Sequence, residues 1–310
     1  MRLAVSTPSE DPYPTRGARE RIQPRRDPVV YGVGAGTGPR SLTPGQVATF
    51  EKDGFVVIPD AFSEPEVQAM RAEVRRLARD DSLRGREEFI KEPDSDALRT
   101  LFNPHRFSGL FDRASRDRRF LDPVTQLLGD RVYILQGRIN VKPALSGKAF
   151  PWHSDFETWH AEDGLPRMRV LSGWVMLTDN TPFNGPLFVL RGSHRTFISC
   201  RGRTPENNHL RSLRRQEYGV PSSGALRDLN ATDRLAALLG KAGTLVFHDG
   251  NLLHASPDNV APEPRTNLFF VYNAVSNKPA PAPFAAPNFR PGMLSNPDHT
   301  PIEPIDDAFA

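Results

Sequence analysis

The alternation of apolar and polar residues predicts two helices and a short strand in the first quarter of the chain. Thr43 before a proline is typical of a helix start, and the predicted helix runs from 43 to about 52. The apolar run 55–58 then predicts a short buried strand. A second helix is predicted over about 64–80, behind a capping box. Its defining residues are Ser63 and Glu66, followed at helical spacing by Val67, Met70, Val74 and Leu77.

From residue 131 onward the pattern changes to short apolar runs separated by Gly, Pro, Asn and Asp. Several such runs in succession favour a β-sandwich or jelly roll, so we expect a mainly β protein whose core is flanked by the N-terminal helices. A weaker helical pattern at 229–240 follows the polar stretch 201–227 and predicts a lid-like insertion over about 201–240. The predicted strand runs are 131–142, 168–178, 186–191, 243–248 and 266–275.

The two ends of the chain differ from this body in composition. Residues 1–42 combine Pro, Gly and Arg with few large apolar groups, so they cannot build a core of their own. We interpret them as an extended arm that is either disordered or laid over the main domain. Residues 279–310 form a tail that is again rich in Pro. The predicted organisation is therefore one folded domain over 43–278 between an arm and a tail.

Composition narrows the classes of protein to which the chain can belong. Hydrophobic residues make up 38% of the 310 residues and charged residues 25%, as in a soluble protein with a sizeable core. No apolar run approaches the roughly 18 residues of a membrane span, and the start lacks the long apolar segment of a signal peptide. We therefore expect a soluble, cytoplasmic protein without a membrane partner.

The charge balance argues against a nucleic-acid partner. Forty Lys and Arg face 37 Asp and Glu, and this net charge of +3 is far from the basic excess that nucleic acid favours. The basic clusters at 16–26, 71–86 and 113–119 contain acidic residues, so we interpret them as solvated faces. Cys200 is the only cysteine, which excludes an intramolecular disulfide and a cysteine-based metal site. Any metal must be bound by His, Asp and Glu.

Three residues form a candidate metal site. His153 and Asp155 are two positions apart, so both side chains leave the same face of an extended segment and can share one ion. Such a pair also arises by chance. About a hundred residues later, His254 follows a predicted strand and the turn 249–251. Two His and one carboxylate are the set that binds non-haem Fe(II) and leaves positions open for a bidentate 2-oxo acid and for O₂.

Arg265 lies eleven residues after His254, near the start of the next predicted strand. A guanidinium there suits the distal carboxylate of 2-oxoglutarate, which it can bind through two parallel hydrogen bonds. An isolated arginine is more often a surface ion-pair residue, but the spacing from His254 favours the binding role. His248 also lies at the end of a predicted strand. The alternation of side chains along that strand and the intervening Gly250 nevertheless favour His254. The six other histidines are interpreted as core, loop or supporting residues: His105, His160, His194, His209, His248 and His299.

The segment 150–169, FPWHSDFETWHAEDGLPRMR, resembles the signature block of the ectoine hydroxylase family. This family is part of the phytanoyl-CoA dioxygenase-like branch of the Fe(II)/2-oxoglutarate oxygenases. A match over twenty residues is far more specific than a His-x-Asp pair, and the resemblance covers nearly the whole chain to about 277. Further similar stretches lie at 11–16, 27–31, 136–143, 184–187, 192–194, 216–221 and 264–273.

The resemblance implies a cupin-like double-stranded β-helix and the hydroxylation of ectoine, a compatible solute, to 5-hydroxyectoine. This reaction consumes O₂ and 2-oxoglutarate and releases succinate and CO₂. The resemblance also implies Fe(II) as the metal, ectoine as the small-molecule partner and a homodimer. The implied iron ligands are His153, Asp155 and His254. The implied 2-oxoglutarate contacts are Lys142, Arg265, Asn140, Phe150, Ser172 and Ser256, and the implied ectoine contacts are Gln136, Trp159 and Phe269.

The implied ectoine contacts also make chemical sense. Ectoine is a small cyclic zwitterion with a delocalised amidinium, so the face of Trp159 or Phe269 offers cation–π attraction. The amide of Gln136 can form hydrogen bonds with its polar atoms. Without the resemblance, core packing would be the simpler interpretation of both aromatic residues.

The chain departs from the family pattern near the candidate site. The family's usual Asp-Cys-Asn turn is here Asp-Gly-Asn at 249–251, and its usual Met-His-Gly-Ser is Leu-His-Ala-Ser at 253–256. Phe183 and Arg191 replace a usual His and Pro. All ligand positions survive, so these departures bear on how tightly the substrate is held and leave the reaction type unchanged.

Three other functions stay open at this stage, from two classes of protein. One is a related 2-oxoglutarate-dependent hydroxylase that acts on another small zwitterion, such as proline. The other two, from a different class, are a metal-binding jelly roll without oxygenase activity and an Arg-rich nucleic-acid binder. A fold alone permits any of these, because function depends on the site.

Overall fold

Two antiparallel β-sheets lie at the centre of the protein. The computed structural model describes residues 11–32, 38–92, 95–213, 216–229, 234–280 and 290–309. Its strands are β1 (Arg21–Pro24), β2 (Phe55–Ile58), β3 (Phe89–Lys91), β4 (Leu98–Phe102), β5 (Val132–Lys142), β6 (Phe150–His153), β7 (Val170–Met176), β8 (Leu187–Leu190), β9 (Thr196–Ser199), β10 (Leu235–Leu238), β11 (Leu245–Asp249), β12 (His254–Ser256) and β13 (Arg265–Ala274).

The strand order shows how the two sheets enclose a core. The larger sheet has the order β2-β11-β7-β13-β5-β4-β3, the smaller one β10-β8-β12-β6, and β1 pairs with β9. Trp174 and Phe269 of the larger sheet pack in one buried cluster with Val189 and Leu238 of the smaller sheet. The inner faces of the sheets therefore meet, as in a jelly roll. The predicted mainly β jelly-roll fold is confirmed, and each of the five predicted strand runs contains a strand.

Helices cover the outer face of the larger sheet. Phe120 of one helix packs edge-to-face against Phe247 and Phe270, whose ring centroids lie 6.3 and 5.6 Å away. Because helices cover one face and the smaller sheet lies over the other, β13 is buried at every position. The helices are α1 (Pro44–Asp53), α2 (Glu64–Ala78), α3 (Asp81–Arg84), α4 (Pro104–Phe107), α5 (Gly109–Ser115), α6 (Arg118–Leu128), α7 (Asp155–Asp163), α8 (His209–Ser212) and α9 (Ser223–Leu229).

The N-terminal helices begin and end where the sequence predicts. Thr43 accepts from the amide of Gln46 at the start of α1, and Gly54 ends the helix with a left-handed φ of 85°. The amide and hydroxyl of Ser63 both donate to Glu66 at the start of α2. The predicted helices at 43–52 and 64–80 are therefore confirmed. No helix in the described part of the chain is long and apolar enough to cross a membrane.

The helix predicted over 229–240 is wrong. Leu235–Leu238 forms the edge strand β10, which pairs with β8 in the smaller sheet. Leucine spacing in a short segment fits either conformation, and pairing with an available strand edge decides between them. Residues 230–233 lie outside the described residues.

Segments from both ends of the chain pack on the body. Tyr13, in the described part of the arm, is fully buried, and β1 pairs with β9. From the other end, Leu294 is 1% exposed and the amide of Ile302 donates to the carbonyl of Val132. The division into an arm over 1–42, a domain over 43–278 and a tail over 279–310 stays a prediction. Parts of it, at 1–10, 33–37, 214–215, 281–289 and 310, lie outside the described residues.

Candidate active site

Three side chains with metal-binding chemistry meet where β6 and β12 pair. His153 ends β6, His254 begins β12, and the two residues are direct partners in the antiparallel ladder. Their rings are therefore close, with centroids 4.2 Å apart. The extended segment predicted to carry both His153 and Asp155 ends at Ser154, the N-cap of α7. Asp155 is the first residue of that helix. One possible ligand atom from each of His153, Asp155 and His254 lies within 4.8 Å of the others, and all three residues are buried.

The hydrogen bonds of the two histidines leave one ring nitrogen of each available. Nδ1 of His153 lies 2.9 Å from the carbonyl of Pro151, and Nδ1 of His254 lies 2.9 Å from the carbonyl of Leu252. A carbonyl oxygen only accepts, so each Nδ1 donates its proton and each Nε2 is the ring nitrogen left to bind a metal. The Nε2 atoms of His153 and His254 lie 3.5 and 3.9 Å from oxygens of Asp155. Two ring nitrogens and one carboxylate thus converge.

The protonation states of these groups suit metal binding. Burial raises the pKa of Asp155, but Arg138 and the two histidines more than offset it and hold that pKa well below its usual range. Burial, with His153 nearby, holds the pKa of His254 well below its ordinary value. The buried Oδ2 of Asp155 has no hydrogen-bond partner among the described residues. A neutral imidazole at His254, an ionised carboxylate and an unsatisfied oxygen fit a divalent ion such as Fe(II).

A turn before β12 ties the two ligand-bearing segments together. The amide of Asn251 donates to Asp249 Oδ1 at 2.8 Å, which closes the turn. The hydroxyl of Ser154 donates to Asn251 Oδ1 at 3.0 Å. The amide of Phe156 donates to the carbonyl of Gly250 at 2.8 Å. The position of each ligand-bearing segment therefore depends on the other.

Gly250 occupies a place with no room for a side chain. A Cβ atom there would lie 2.9 Å from Cγ1 of Val170 and 3.1 Å from a ring carbon of Trp159. Contacts this short require a neighbour to move. The glycine at this departure from the family pattern therefore lets Trp159 pack directly against the turn.

A cationic end of the site is built from β5 and β13. Lys142 and Arg265 are direct partners across these strands, and Asn140 shares their inner face. The Arg265 guanidinium donates to Asn140 Oδ1 at 3.0 Å and to the carbonyl of Gly185 at 2.9 and 3.2 Å. Nζ of Lys142 donates to two backbone carbonyls at 2.6 and 2.7 Å. Within the described part of the chain, neither cation has a carboxylate within 4.0 Å.

The pKa values at this end reflect an excess of positive charge. Burial lowers the pKa of Lys142 to about 7, and Arg265 and Arg99 add to the effect. Burial lowers the pKa of Arg265 to about 9, again with a contribution from Arg99. Arg99, which no sequence pattern singled out, donates to both carboxylate oxygens of Glu92 at 2.8 Å. Only Glu92 and the exposed Asp258 oppose these three buried cations among the described residues, so this end is suited to an anionic ligand.

One cavity joins the metal-binding cluster to the cationic end and to the aromatic residues. Ser172 is the exception among the predicted site residues, because it does not line this cavity. It lies on β7 opposite His248 of β11, and its buried hydroxyl has no hydrogen-bond partner among the described residues. His248 in turn accepts from the indole of Trp174 at 3.1 Å. The predicted residues that line the cavity are Gln136, Asn140, Lys142, Phe150, His153, Asp155, Trp159, His254, Ser256, Arg265 and Phe269.

The aromatic end of the cavity differs from the expectation in one respect. The ring of Phe269 stacks on Trp174 with centroids 5.0 Å apart, and the guanidinium of Arg138 lies 4.8 Å from its centroid. A cation of the protein thus already occupies the cation–π position on Phe269. Trp159 is left as the predicted aromatic contact that can receive a ligand cation.

Besides Arg99, two other arginines that were not predicted line the cavity. Arg138 lies two positions from Gln136 on the inner face of β5 and donates to its Oε1 at 2.7 Å, so period-2 alternation could have identified it. Arg290 forms a buried ion pair with Asp163. It comes from the Pro-rich tail, where no pattern points to it. Gln136 Nε2 also donates to the carbonyl of Leu294 at 3.1 Å, so the tail helps to close this end.

Comparison with known proteins places this arrangement in a family. The sequence model of the phytanoyl-CoA dioxygenase (PhyH) family matches residues 50–267. The chain is 45% identical over 294 residues to ectoine dioxygenase of Bordetella bronchiseptica, a match that covers 94% of this chain and 92% of that one. It is 46% identical over 292 residues to ectoine dioxygenase of Halomonas elongata, covering 93% and 87%.

A solved structure agrees with the sequence relatives. EctD from S. alaskensis, crystallised with 2-oxoglutarate and 5-hydroxyectoine, superimposes with a TM-score of 0.84 at 40% identity and covers 96% of this chain and 99% of its own. The range that the family model matches includes His153, Asp155 and His254 and the helices α2 to α6. The chain therefore belongs to the phytanoyl-CoA dioxygenase family and, within it, to the ectoine dioxygenases.

Proposed function

We propose that this protein hydroxylates ectoine to 5-hydroxyectoine with Fe(II), O₂ and 2-oxoglutarate, and that it releases succinate and CO₂. The observation that carries the proposal is one cavity lined by a His-Asp-His cluster, a Lys–Arg pair and buried aromatic side chains. The relatives named ectoine dioxygenase match over more than nine-tenths of the chain. The EctD structure with 2-oxoglutarate and 5-hydroxyectoine supports the same substrate and cosubstrate here.

In this proposal His153, Asp155 and His254 hold Fe(II) through their Nε2 atoms and carboxylate. Bound iron supplies the redox chemistry that links O₂, 2-oxoglutarate and the C–H bond of the substrate. The chain's own residues keep the ligands ready. The carbonyls that accept from both Nδ1 atoms orient the imidazole rings, and Arg138, with Nη2 3.7 Å from Asp155 Oδ2, favours the ionised carboxylate.

Lys142 and Arg265 bind the carboxylates of 2-oxoglutarate in this proposal. Asn140 holds the guanidinium of Arg265 by a hydrogen bond of 3.0 Å, which fixes the direction of its remaining N–H donors. Phe150 and Ser256 line the cavity beside the metal-binding cluster and complete the cosubstrate pocket. A dicarboxylate supplies the negative charge that this buried cationic end lacks.

Ectoine occupies the other end of the cavity in this proposal. Its amidinium stacks on Trp159, and Gln136 donates to its carboxylate through the second N–H of the side-chain amide. Its carboxylate faces Arg138 and Arg290, two cations that line the cavity. The guanidinium of Arg138 packs against the ring of Phe269. Together these contacts direct one C–H bond towards the metal.

We propose that part of the predicted lid-like insertion over about 201–240 covers this cavity. Asn208 and Gln216 both line it, and they donate to Glu162 and Thr158 of α7 at 3.1 and 3.4 Å. We propose that this cover excludes bulk water once the substrate is bound. The contacts to α7 connect the cover to the helix that carries Asp155.

We also propose that the protein works in the cytoplasm as a homodimer. Both expectations come from the resemblance and from a chain composition typical of soluble enzymes. Light scattering on the purified protein measures the oligomeric state, and a monomeric mass at micromolar concentration would contradict the dimer.

The direct test is reconstitution of the metal-free protein with Fe(II) and 2-oxoglutarate without oxygen, followed by O₂ and ectoine. A mass gain of about 16 Da on ectoine, matched by an equal amount of succinate, is the expected result, because one oxygen atom enters each product. Single alanine variants of His153, Asp155 and His254 should lose this coupled reaction, whereas H299A, outside the cavity lining, should retain it. Retained coupled turnover in the three ligand variants would refute the assignment.

Proline in place of ectoine tests the alternative substrate. The proposal expects no hydroxylated proline under conditions that convert ectoine. Succinate formation with hydroxylation of proline but not of ectoine would identify the related hydroxylase instead. Absence of succinate under every condition would point to a metal-binding protein without oxygenase activity.

A further inference from the structure

Helix α7 buries four carboxylates in nine residues. Asp155, Glu157, Glu162 and Asp163 are each at most 8% exposed. A buried carboxylate is unfavourable unless a cation or metal compensates its charge. Asp155 is a proposed metal ligand, and Asp163 pairs with Arg290. The two remaining carboxylates need a partner from elsewhere in the chain.

Arg16, from the described part of the N-terminal arm, supplies that charge. Its Nε and Nη2 donate to the two carboxylate oxygens of Glu157 at 2.7 and 2.8 Å, and its Nη1 lies 3.2 Å from Glu162. The side chains of Arg16 and Glu157 are 6% and 1% exposed. The hydroxyl of Thr15 donates at 2.7 Å to Glu157 Oε1, the oxygen that also accepts from Arg16 Nε. The φ of Arg16 is 57°, a conformation that a non-glycine residue keeps only where its contacts hold it.

A second arginine of the arm reaches the other ligand-bearing segment. Nη1 of Arg25 donates to Asp249 Oδ2 at 2.7 Å, and the two side chains are 3% and 4% exposed. Asp249 closes the turn that precedes His254 through its other oxygen, which accepts from Asn251. Nη2 of Arg25 also donates to the carbonyl of Met168 at 2.7 Å. Arg25 is therefore held on several sides at the base of that turn.

We propose that the arm segment 11–27 is a positioning element of the metal site. Arg16 holds the segment that carries Asp155, since Glu157 is two residues away, and Arg25 holds the turn before His254. The inference rests on the proposed function, because it assigns the arm a role toward that site's metal. Loss of either guanidinium leaves a buried carboxylate uncompensated next to a ligand, so the ligand geometry changes.

The test is titration of metal-free R16Q and R25Q with Co(II), followed by calorimetry and by visible absorption. Each variant should bind Co(II) about 10- to 100-fold more weakly than the wild type, the range seen when groups that orient metal ligands are removed. The Co(II) absorption bands should change, because they report ligand geometry. In the iron-loaded enzyme the ratio of succinate to hydroxylated product should rise above one. R25K, which keeps the charge, should recover part of the affinity.

Two controls separate positioning from general loss of stability. R26Q removes an exposed arginine of the same arm and should bind Co(II) as the wild type does. R119Q breaks a remote ion pair with Glu66 and Asp117, both at 2.8 Å, and should lower the melting temperature without changing the Co(II) affinity. If R25Q does not fold, R25Q/D249N removes the uncompensated carboxylate as well. This double variant still lacks the guanidinium that joins Asp249 to the carbonyl of Met168 and so anchors the turn before His254, and its Co(II) affinity should therefore also fall.

Several outcomes would overturn the inference. Folded R16Q and R25Q, or folded R25Q/D249N, with wild-type Co(II) affinity and absorption would do so. Equal weakening in R119Q would also do so, because the effect would then follow stability alone. Failure of the wild type to bind Co(II) would instead refute the metal site of the proposed function.

Discussion

Raising the pH above neutrality is expected to weaken 2-oxoglutarate binding through Lys142. Burial and the cations Arg265 and Arg99 lower the pKa of this lysine from 10.5 to about 7, while Glu92 and Asp258 act in the opposite direction. At about 1.4 kcal/mol per factor of ten, this change corresponds to about 5 kcal/mol against the charged ammonium in the ligand-free cavity. A dicarboxylate brings the negative charge that favours the ammonium again.

The sign of the pH effect follows from this proton. Below pH 7 Lys142 is already charged in the free protein, and 2-oxoglutarate binds without proton uptake. Above pH 7 the free protein holds a neutral amine, so binding requires the uptake of one proton. The dissociation constant should therefore rise with pH, by up to about tenfold per pH unit, until the pH reaches the raised pKa of Lys142 in the complex.

The assay is anaerobic titration of Co(II)-loaded protein with 2-oxoglutarate between pH 6.5 and 8.5. K142M should bind weakly at every pH and lose the part of the slope that comes from the lysine. K241M is the matched control, because the Lys241 side chain is 83% exposed and pairs with Asp179. A dissociation constant that does not change over this range, or an equal slope in K142M, would refute the reasoning.

Three substitutions test other parts of the structure. R265K removes the planar fork that bonds the Gly185 carbonyl, so the KM for 2-oxoglutarate should rise about tenfold or more; an unchanged KM contradicts the assignment. G250A should cost about 1–3 kcal/mol of stability and raise the KM for ectoine, since its Cβ crowds Trp159; wild-type melting and KM would contradict this. F120A should lower the free energy of unfolding in urea by about 3–5 kcal/mol and leave the Co(II) affinity unchanged. The reason is that Phe120 lies in the core between the larger sheet and the helices, away from the metal-binding cluster. A loss of stability below about 1 kcal/mol would argue against that packing.

Local patterns identified most of the fold because the signals agree with the packing. The capping residues of α1 and α2 and the apolar runs of the jelly-roll strands reflect short-range requirements, namely helix capping and burial on one face. The segment at 235–238 shows where this reasoning fails. All four residues of this segment are apolar, and so short a run suits a helix or a strand. Only pairing with the edge of β8 selects the strand.

The candidate site, like the fold, was predicted only in part from the sequence. Residue types and spacing identify His153, Asp155 and His254 as candidate metal ligands. The family resemblance adds candidate contacts to the cosubstrate and the substrate. Ser172 does not line the cavity, since it faces His248 in the ladder of β7 and β11. A resemblance transfers residue identities but does not show which side chains reach the cavity of this chain.

The sequence by itself determined the chemistry available to this protein: its metal-binding residue types, its jelly-roll strand pattern and its family. Only the tertiary structure decided which charges compensate one another. Arg16 meets Glu157 across 141 positions, and Arg25 meets Asp249 across 224. Ion pairs at such separations leave no periodic signal, because they depend on the path of the whole chain. They form here because burial of carboxylates beside the metal ligands is favourable only when cations from distant segments are brought to them.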